Sequence, residues 1–203
     1  MLNIVLLGAP GVGKGVQSQL LEKQYRLDTI APGHLFRAAI KAKTPLGLQM
    51  QRYIEAGNLA PNKVVIEVVG KKLKAAYQKN QRLRGFLFDG CPRSLAQAKA
   101  LEAQLAAIKT QISLIIVLEV DSAELNKRLT QRHQMEQRAD DQATQRAHRL
   151  YLYKSYASPI IAYYQNSYPT ISINGKGTIE EVNKRITTTI EAYLAEKKYN
   201  GRS

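Results

Sequence analysis

Four short stretches of the chain are apolar and too short for a helix: residues 3–7 (NIVLL), 85–88 (GFLF), 112–120 (ISLIIVLEV) and 171–173 (ISI). Their apolar residues run together instead of alternating, the pattern of strands covered on both faces, as in a parallel sheet. Longer segments with helical patterning separate or follow them, at residues 16–23, 94–108, 122–133, 140–165 and 178–197. Thr178 and Glu181 have the spacing of a capping box at the start of the last one. Strand–helix alternation predicts an α/β fold with ligands at the carboxyl ends of the strands. Residues 33–74 break the rhythm. They carry helical patterning but no strand, punctuated by Pro45, Gly47, Gly57 and Pro61, and are expected to form an inserted helical lobe. Residues 133–139, HQMEQRA, are expected to be a short polar link.

Composition narrows the setting without naming a partner. The 203 residues suit one compact domain, and 44% hydrophobic residues suffice for a core. Thirty basic against sixteen acidic residues give a net charge of +14. That excess suits nucleotides, nucleic acid or an acidic surface, and equally a solvated basic surface with no single target. Cys91 is the only cysteine, so no internal disulfide forms, and a reducing, cytoplasmic setting is expected. The apolar runs are far too short to span a membrane. Residues 1–7 lack a basic leader and read as a strand, not a signal peptide.

The candidate chemistry begins at residues 8–17, GAPGVGKGVQ. Gly8-x4-Gly13-Lys14 between a strand and a helix is a phosphate-binding loop: glycines allow the backbone to curl, the helix start offers free N–H groups, and the lysine neutralises phosphate charge. Asp89 ends the second strand, where a carboxylate holds Mg²⁺ through water or caps a turn. Arg37, Arg93, Arg128, Arg132, Arg138 and Arg149 fall at element edges or in the polar link. They suit bidentate phosphate binding or a solvated basic face.

GAPGVGKGVQ, GHLFRAA, GFLFDGCPRSLAQA and RADDQATQRAHRL occur in that order, and together they resemble the adenylate kinase family over nearly the whole chain. The resemblance implies a P-loop NTPase core of three layers (residues 1–30, 62–121 and 141–203), an NMP-binding lobe (residues 31–61) and a short lid (residues 122–140). It implies reversible phosphoryl transfer from ATP to a nucleoside monophosphate with Mg²⁺, no structural zinc, and a monomer. By position, Gly11, Val12, Gly13, Lys14, Gly15 and Val16 would cradle the ATP phosphates with Arg128 and Arg132, and Lys176 with Gly177 would meet the ATP base. Pro32, Arg37, Leu59, Gly90, Arg93, Gln97, Arg138 and Arg149 would hold the monophosphate, Gln97 reading the adenine edge. Lys14, Arg93, Arg128, Arg138 and Arg149 would carry catalysis, and Asp89 the metal through water. Asp140 and Asp141 would orient the lid arginine.

The chain departs from the family pattern at three places. Val16 replaces a hydroxyl residue near phosphate and metal, which predicts weakened but not abolished ATP binding. Ala31-Pro32-Gly33-His34 stands where the family has a Ser/Thr-rich run ending in Asp. Pro32 suits a first helical turn but donates nothing to a base. His34 is a tolerated polar swap or a direct contact to the acceptor phosphate, with a charge that changes near neutral pH. Cys91 replaces an aromatic residue and reads as a small buried hydrophobe. AMP is therefore the expected acceptor. CMP, UMP or dAMP, and a catalytically weak nucleotide-binding protein, remain as alternatives. Nucleic-acid binding rests on charge alone; Tyr151, Tyr153, Tyr156, Tyr163 and Tyr164 share one long helix, where core packing accounts for most of them.

Overall fold

The computed structural model describes residues 1–79, 83–136, 140 and 142–200. Among these, a five-stranded parallel sheet is sandwiched between helices. β1 (Ile4–Gly8) is central and leads through the glycine loop into α1 (Lys14–Tyr25) and β2 (Leu27–Ile30). Three helices follow, α2 (Pro32–Lys41), α3 (Pro45–Glu55) and α4 (Asn62–Lys79), before β3 (Gly85–Asp89). The rest alternates: α5 (Leu95–Ala107), β4 (Leu114–Glu119), α6 (Ser122–Glu136), α7 (Ala143–Gln165), β5 (Thr170–Asn174) and α8 (Ile179–Asn200).

The strand order is β2-β3-β1-β4-β5. Ile4 lies level with Leu87 on one side and Leu114 on the other. Successive residues of a strand face opposite sides, so an unbroken apolar run must be covered twice. Val5, Leu7, Phe86, Phe88, Ile115 and Val117 face one layer, packed by Val69 and Leu73 of α4, Leu101 and Leu105 of α5, and Ile160 and Tyr164 of α7. Ile4, Leu6, Leu87, Leu114, Ile116 and Leu118 face the other, under Leu21 of α1 and Val182, Ile186 and Ile190 of α8. Truncating such a side chain to alanine costs about 2–5 kcal/mol. Buried Asn3 ties the three central strands together. Its Nδ2 donates to the Thr110 hydroxyl and the Gln111 carbonyl, and its Oδ1 accepts the Phe86 N–H.

β1 continues through α1 to β2 at one edge, whereas β3 continues through α5 to β4 on the far side of β1. The loops leaving β1 and β3 therefore part company and open a crevice at their carboxyl ends. Leu6 is level with Asp89, so the glycine loop and Asp89 meet there.

Three details differ from expectation. β2, sequence LDTI, is a fifth strand that the hydrophobic pattern does not reveal, because its middle residues are polar and only partly buried. α6 runs on to Glu136, so residues 133–136 are helical instead of a link, while 137–139 lie outside the described residues. The helix-rich stretch divides near Pro61. α2 and α3 pack on each other, whereas α4 sends Val65, Val69, Leu73 and Ala76 into the core beside the sheet.

Candidate active site

The crevice is a cleft of about 470 Å³. Its floor is the glycine loop. Gly13 sits at φ 106°, a conformation that a side chain would strain, and caps α1 without any side-chain hydrogen bond. The first turn of α1 carries no acid. Its N–H groups and the positive end of the helix dipole thus stay available to an anion.

Lys14 lies folded over the loop. Its Nζ donates to the carbonyls of Gly8 at 2.6 Å and Ala9 at 2.9 Å. Burial pulls its pKa from 10.5 down to about 7; Asp89 works against that shift, and Arg93, Arg149 and Arg132 reinforce it. Arg37, Arg93, Arg128, Arg132 and Arg149 also line the cleft, against a single carboxylate among the described lining residues, Asp89. Five guanidiniums and an ammonium around one cavity repel each other, and an anion of several charges relieves that repulsion.

Each arginine whose partners are defined is held from behind. Arg128 Nε donates to Glu124 Oε1 at 2.6 Å, one helical turn back, and its Nη1 to the Val12 carbonyl at 3.1 Å. Arg93 Nε donates to the Gly90 carbonyl at 2.7 Å. Arg149 Nη1 meets Asp140 Oδ2 at 2.8 Å and the Asp140 carbonyl at 3.1 Å. Such bonds leave the remaining N–H groups oriented for a ligand. Gly15 faces His34 and Asp89: His34 Nε2 and Asp89 Oδ2 lie 3.8 and 3.9 Å from where a methyl group on it would sit, and glycine keeps that space open.

A second, smaller pocket adjoins the cleft through Gly33, Gly90 and Arg93, which line both. Its walls are Pro32, Phe36, Ile54, Leu59 and Val65, with Gln97 among them. The Gln97 side chain is only 5% exposed. Ser94 caps α5, accepting the Gln97 N–H at 3.1 Å, and so fixes the backbone that carries this side chain.

The structure brings Gly11, Gly13, Lys14, Gly15, Val16, Arg37, Asp89, Gly90, Arg93, Arg128, Arg132 and Arg149 onto the cleft wall, and Pro32, Leu59 and Gln97 onto the smaller pocket. Val12 differs: its side chain is 1% exposed and packed in the core, and only its carbonyl serves the site, through Arg128. Lys176 is on the loop between β5 and α8, ion-paired with Asp121, and does not line the cleft. Arg138 and Asp141 lie outside the described residues. Val16 is 44% exposed, an apolar side chain on a charged wall. Sequence reasoning passed over Gln19, Met135 and Asn58; Tyr156 packs against the core, as expected for most tyrosines of α7, and in addition lines the cleft. No local pattern distinguishes a tyrosine on the inner edge of a long helix from its core neighbours.

No helix among the described residues is long and apolar enough to cross a membrane, and these residues hold no cluster of three or more His, Cys, Asp or Glu side chains. A glycine loop before α1, ringed by arginines at the carboxyl ends of a parallel sheet, defines a P-loop phosphotransferase site. The adenylate kinase family model matches residues 6–168. Adenylate kinase from Flavobacterium psychrophilum is 40% identical over 191 residues, covering 94% of this chain and 98% of that protein. The Parabacteroides distasonis adenylate kinase is 38% identical and the Geotalea uraniireducens one 34%, each with 94% of this chain and 98% of the relative covered. The chain belongs to the adenylate kinase family and is a nucleoside monophosphate kinase.

Proposed function

We propose that the protein transfers the terminal phosphoryl group of Mg-ATP to AMP, reversibly giving two ADP. The observation that carries this is the pair of adjoining pockets, one cationic and one largely apolar, joined at Arg93. A monophosphate seated with its base against Leu59 and Gln97 would put its phosphate beside Arg93 and Arg37. ATP phosphates on the Lys14 loop would then face it across the same cleft. The chemistry needs no protein nucleophile. Positioning and charge neutralisation suffice: Lys14, Arg128, Arg132 and Arg149 offset the charge that develops as the phosphoryl group moves in line.

Mg²⁺ would arrive with ATP and would supply charge neutralisation at its phosphates. Asp89, the one carboxylate among the described residues lining the cleft, suits a hold through water, and the space above Gly15 is open beside it. In this scheme residues 31–61 act as the NMP-binding lobe and residues 122–140 as the lid, closing on a core of residues 1–30, 62–121 and 141–203. Closure excludes water that would otherwise hydrolyse ATP.

Pro32 on the wall of the smaller pocket supports one competing scheme, in which CMP, UMP or dAMP is the better acceptor. The protein incubated with Mg-ATP and, separately, AMP, dAMP, CMP, UMP and GMP would decide, with products separated by ion exchange. Fast ADP formation with AMP is expected. Preference for another acceptor would replace AMP, and ATP binding without any diphosphate product would overturn the kinase activity altogether.

A further inference from the structure

We infer that Asn62 is a specificity-determining residue: it locks the Gln97 amide so that the pocket selects bases that present a ring-nitrogen acceptor beside an amino group over those that present a ring N–H beside a carbonyl. This rests on the proposal above that the smaller pocket takes the base of the acceptor.

The lock is a closed set of hydrogen bonds. The Arg93 backbone N–H donates to Gln97 Oε1 at 2.8 Å. A backbone N–H only donates, so the amide oxygen, and not its nitrogen, must face it. On the opposite side Gln97 Nε2 donates to Asn62 Oδ1 at 2.8 Å. The Asn62 oxygen is oriented in turn. Gln97 Nε2 is a donor, so Asn62 must turn its oxygen toward it, and the Ser94 hydroxyl, which accepts the Gln97 N–H, donates its proton to the same Asn62 Oδ1 at 3.0 Å. The Arg93 backbone N–H thus sets the direction of the Gln97 amide, and the Asn62 oxygen and the Ser94 hydroxyl follow from it. Flipping the Gln97 amide would set donor against donor at Arg93 and acceptor against acceptor at Asn62, in a side chain almost wholly out of water.

After these two bonds the amide keeps one N–H and one oxygen lone pair. An edge of fixed order, donor beside acceptor, matches a base edge that presents a ring nitrogen acceptor beside an amino donor. Adenine and cytosine present that order. Hypoxanthine, guanine and uracil present the reverse, a ring N–H beside a carbonyl. A glutamine free to flip would serve both sets, and the lock removes that freedom. Asn62 acts through Gln97 and touches no reacting atom. It stands at the exposed first position of α4, 35 residues before Gln97, so its replacement leaves the core intact.

The test measures equilibrium binding of AMP and inosine monophosphate by calorimetry. These ligands differ only on that edge: an amino group beside a bare ring nitrogen in AMP, a carbonyl beside a ring N–H in inosine monophosphate. CMP and UMP serve as a second pair. The full chain is compared with Asn62→Ala and Asn62→Asp. Wild type is expected to bind AMP at least tenfold more tightly than inosine monophosphate. Asn62→Ala should shrink that ratio by about two- to tenfold, the worth of one hydrogen bond. Asn62→Asp retains an acceptor at the same place and should preserve the ratio. An unchanged ratio in Asn62→Ala, a ratio that also falls in Asn62→Asp, or no preference in wild type would each overturn the inference. Turnover is read separately. Preferential AMP binding that depends on residue 62 but yields no ADP would sink the proposed activity and leave this inference standing. ADP formation with a ratio indifferent to residue 62 would do the opposite.

Discussion

His148 and Asn58 meet across the mouth of the smaller pocket, the His148 ring nitrogen Nε2 lying 2.7 Å from Asn58 Oδ1. Asn58 follows α3 and lines that pocket; His148 is on α7, next to Arg149 of the cleft. The neighbouring residue makes the same connection by packing. A methyl group on Gly57, which sits at φ 72°, would come within 3.1 Å of Arg149 Cγ and 3.3 Å of the Gln145 carbonyl. The turn after α3 is thus fastened to the helix that carries Arg149 of the cleft.

Gly57→Ala should therefore cost about 1–2 kcal/mol of stability from the left-handed backbone alone, and should weaken AMP binding by displacing the Arg149 stem. His148→Leu, which keeps bulk but loses the hydrogen bond, should raise the KM for AMP about two- to tenfold and leave that for ATP nearly unchanged. Denaturant melts and steady-state kinetics with each substrate varied would check both. Equal effects on the two substrates would contradict the connection.

Lys14 predicts a proton linkage. Its pKa near 7 in the ligand-free protein arises chiefly from burial, and bound phosphates would raise it again. Between that value and the pKa of the complex, ATP binding should take up about one proton, and affinity should fall as pH rises through 7 and beyond. Calorimetry at pH 8 in two buffers of different ionisation heat would measure the uptake, which should vanish in Lys14→Met. The folded pKa lies below the unfolded value of 10.5, so the unfolded chain binds more protons between about pH 7 and 10.5. Stability of the ligand-free protein should rise with pH over that window on this group's account, and Lys14→Met should remove that part of the slope.

Among the described residues that line the cleft, Asp89 is the one carboxylate for the proposed Mg²⁺. Val16→Thr should return a hydroxyl to the loop and tighten Mg-ATP binding by up to about tenfold. His34→Asp should add a second carboxylate beside Asp89 and lower the Mg²⁺ concentration needed for half-maximal activity. Magnesium titrations at fixed ATP would show both shifts. A His34→Asp variant with unchanged magnesium dependence would mean that residue 34 does not approach the ion.

Cys91 is 3% exposed, and burial pushes its thiol up to about 12. It should be protonated at neutral pH and react with a disulfide reagent only as fast as the fold opens. A fast-reacting thiol in the native protein, read by absorbance on mixing, would contradict its place in the core.

What the sequence by itself determined is what depends on neighbours along the chain. The apolar runs at residues 3–7, 85–88 and 112–120 specified three central strands, because a strand covered on both faces must be apolar throughout. Gly8 to Lys14 specified the anion loop through backbone freedom and the helix start behind it. Thr178 and Glu181 form both bonds of their capping box, at 2.9 and 3.2 Å. The arginines were legible as residue types, but their convergence on one cavity comes from the tertiary placing of α2, the loop after β3, α6 and α7 around the crevice. Tertiary structure decided the rest. LDTI becomes β2 only because Leu27 and Ile30 pair with Gly85 and Phe88, which no local pattern encodes. Val12 turns inward and Lys176 pairs with Asp121 because of what packs around each loop, and a loop's own residues do not carry that information. Asn62 meets Gln97 across 35 residues, and the amide orientation they share arises from contacts that exist only once α4 and α5 lie side by side.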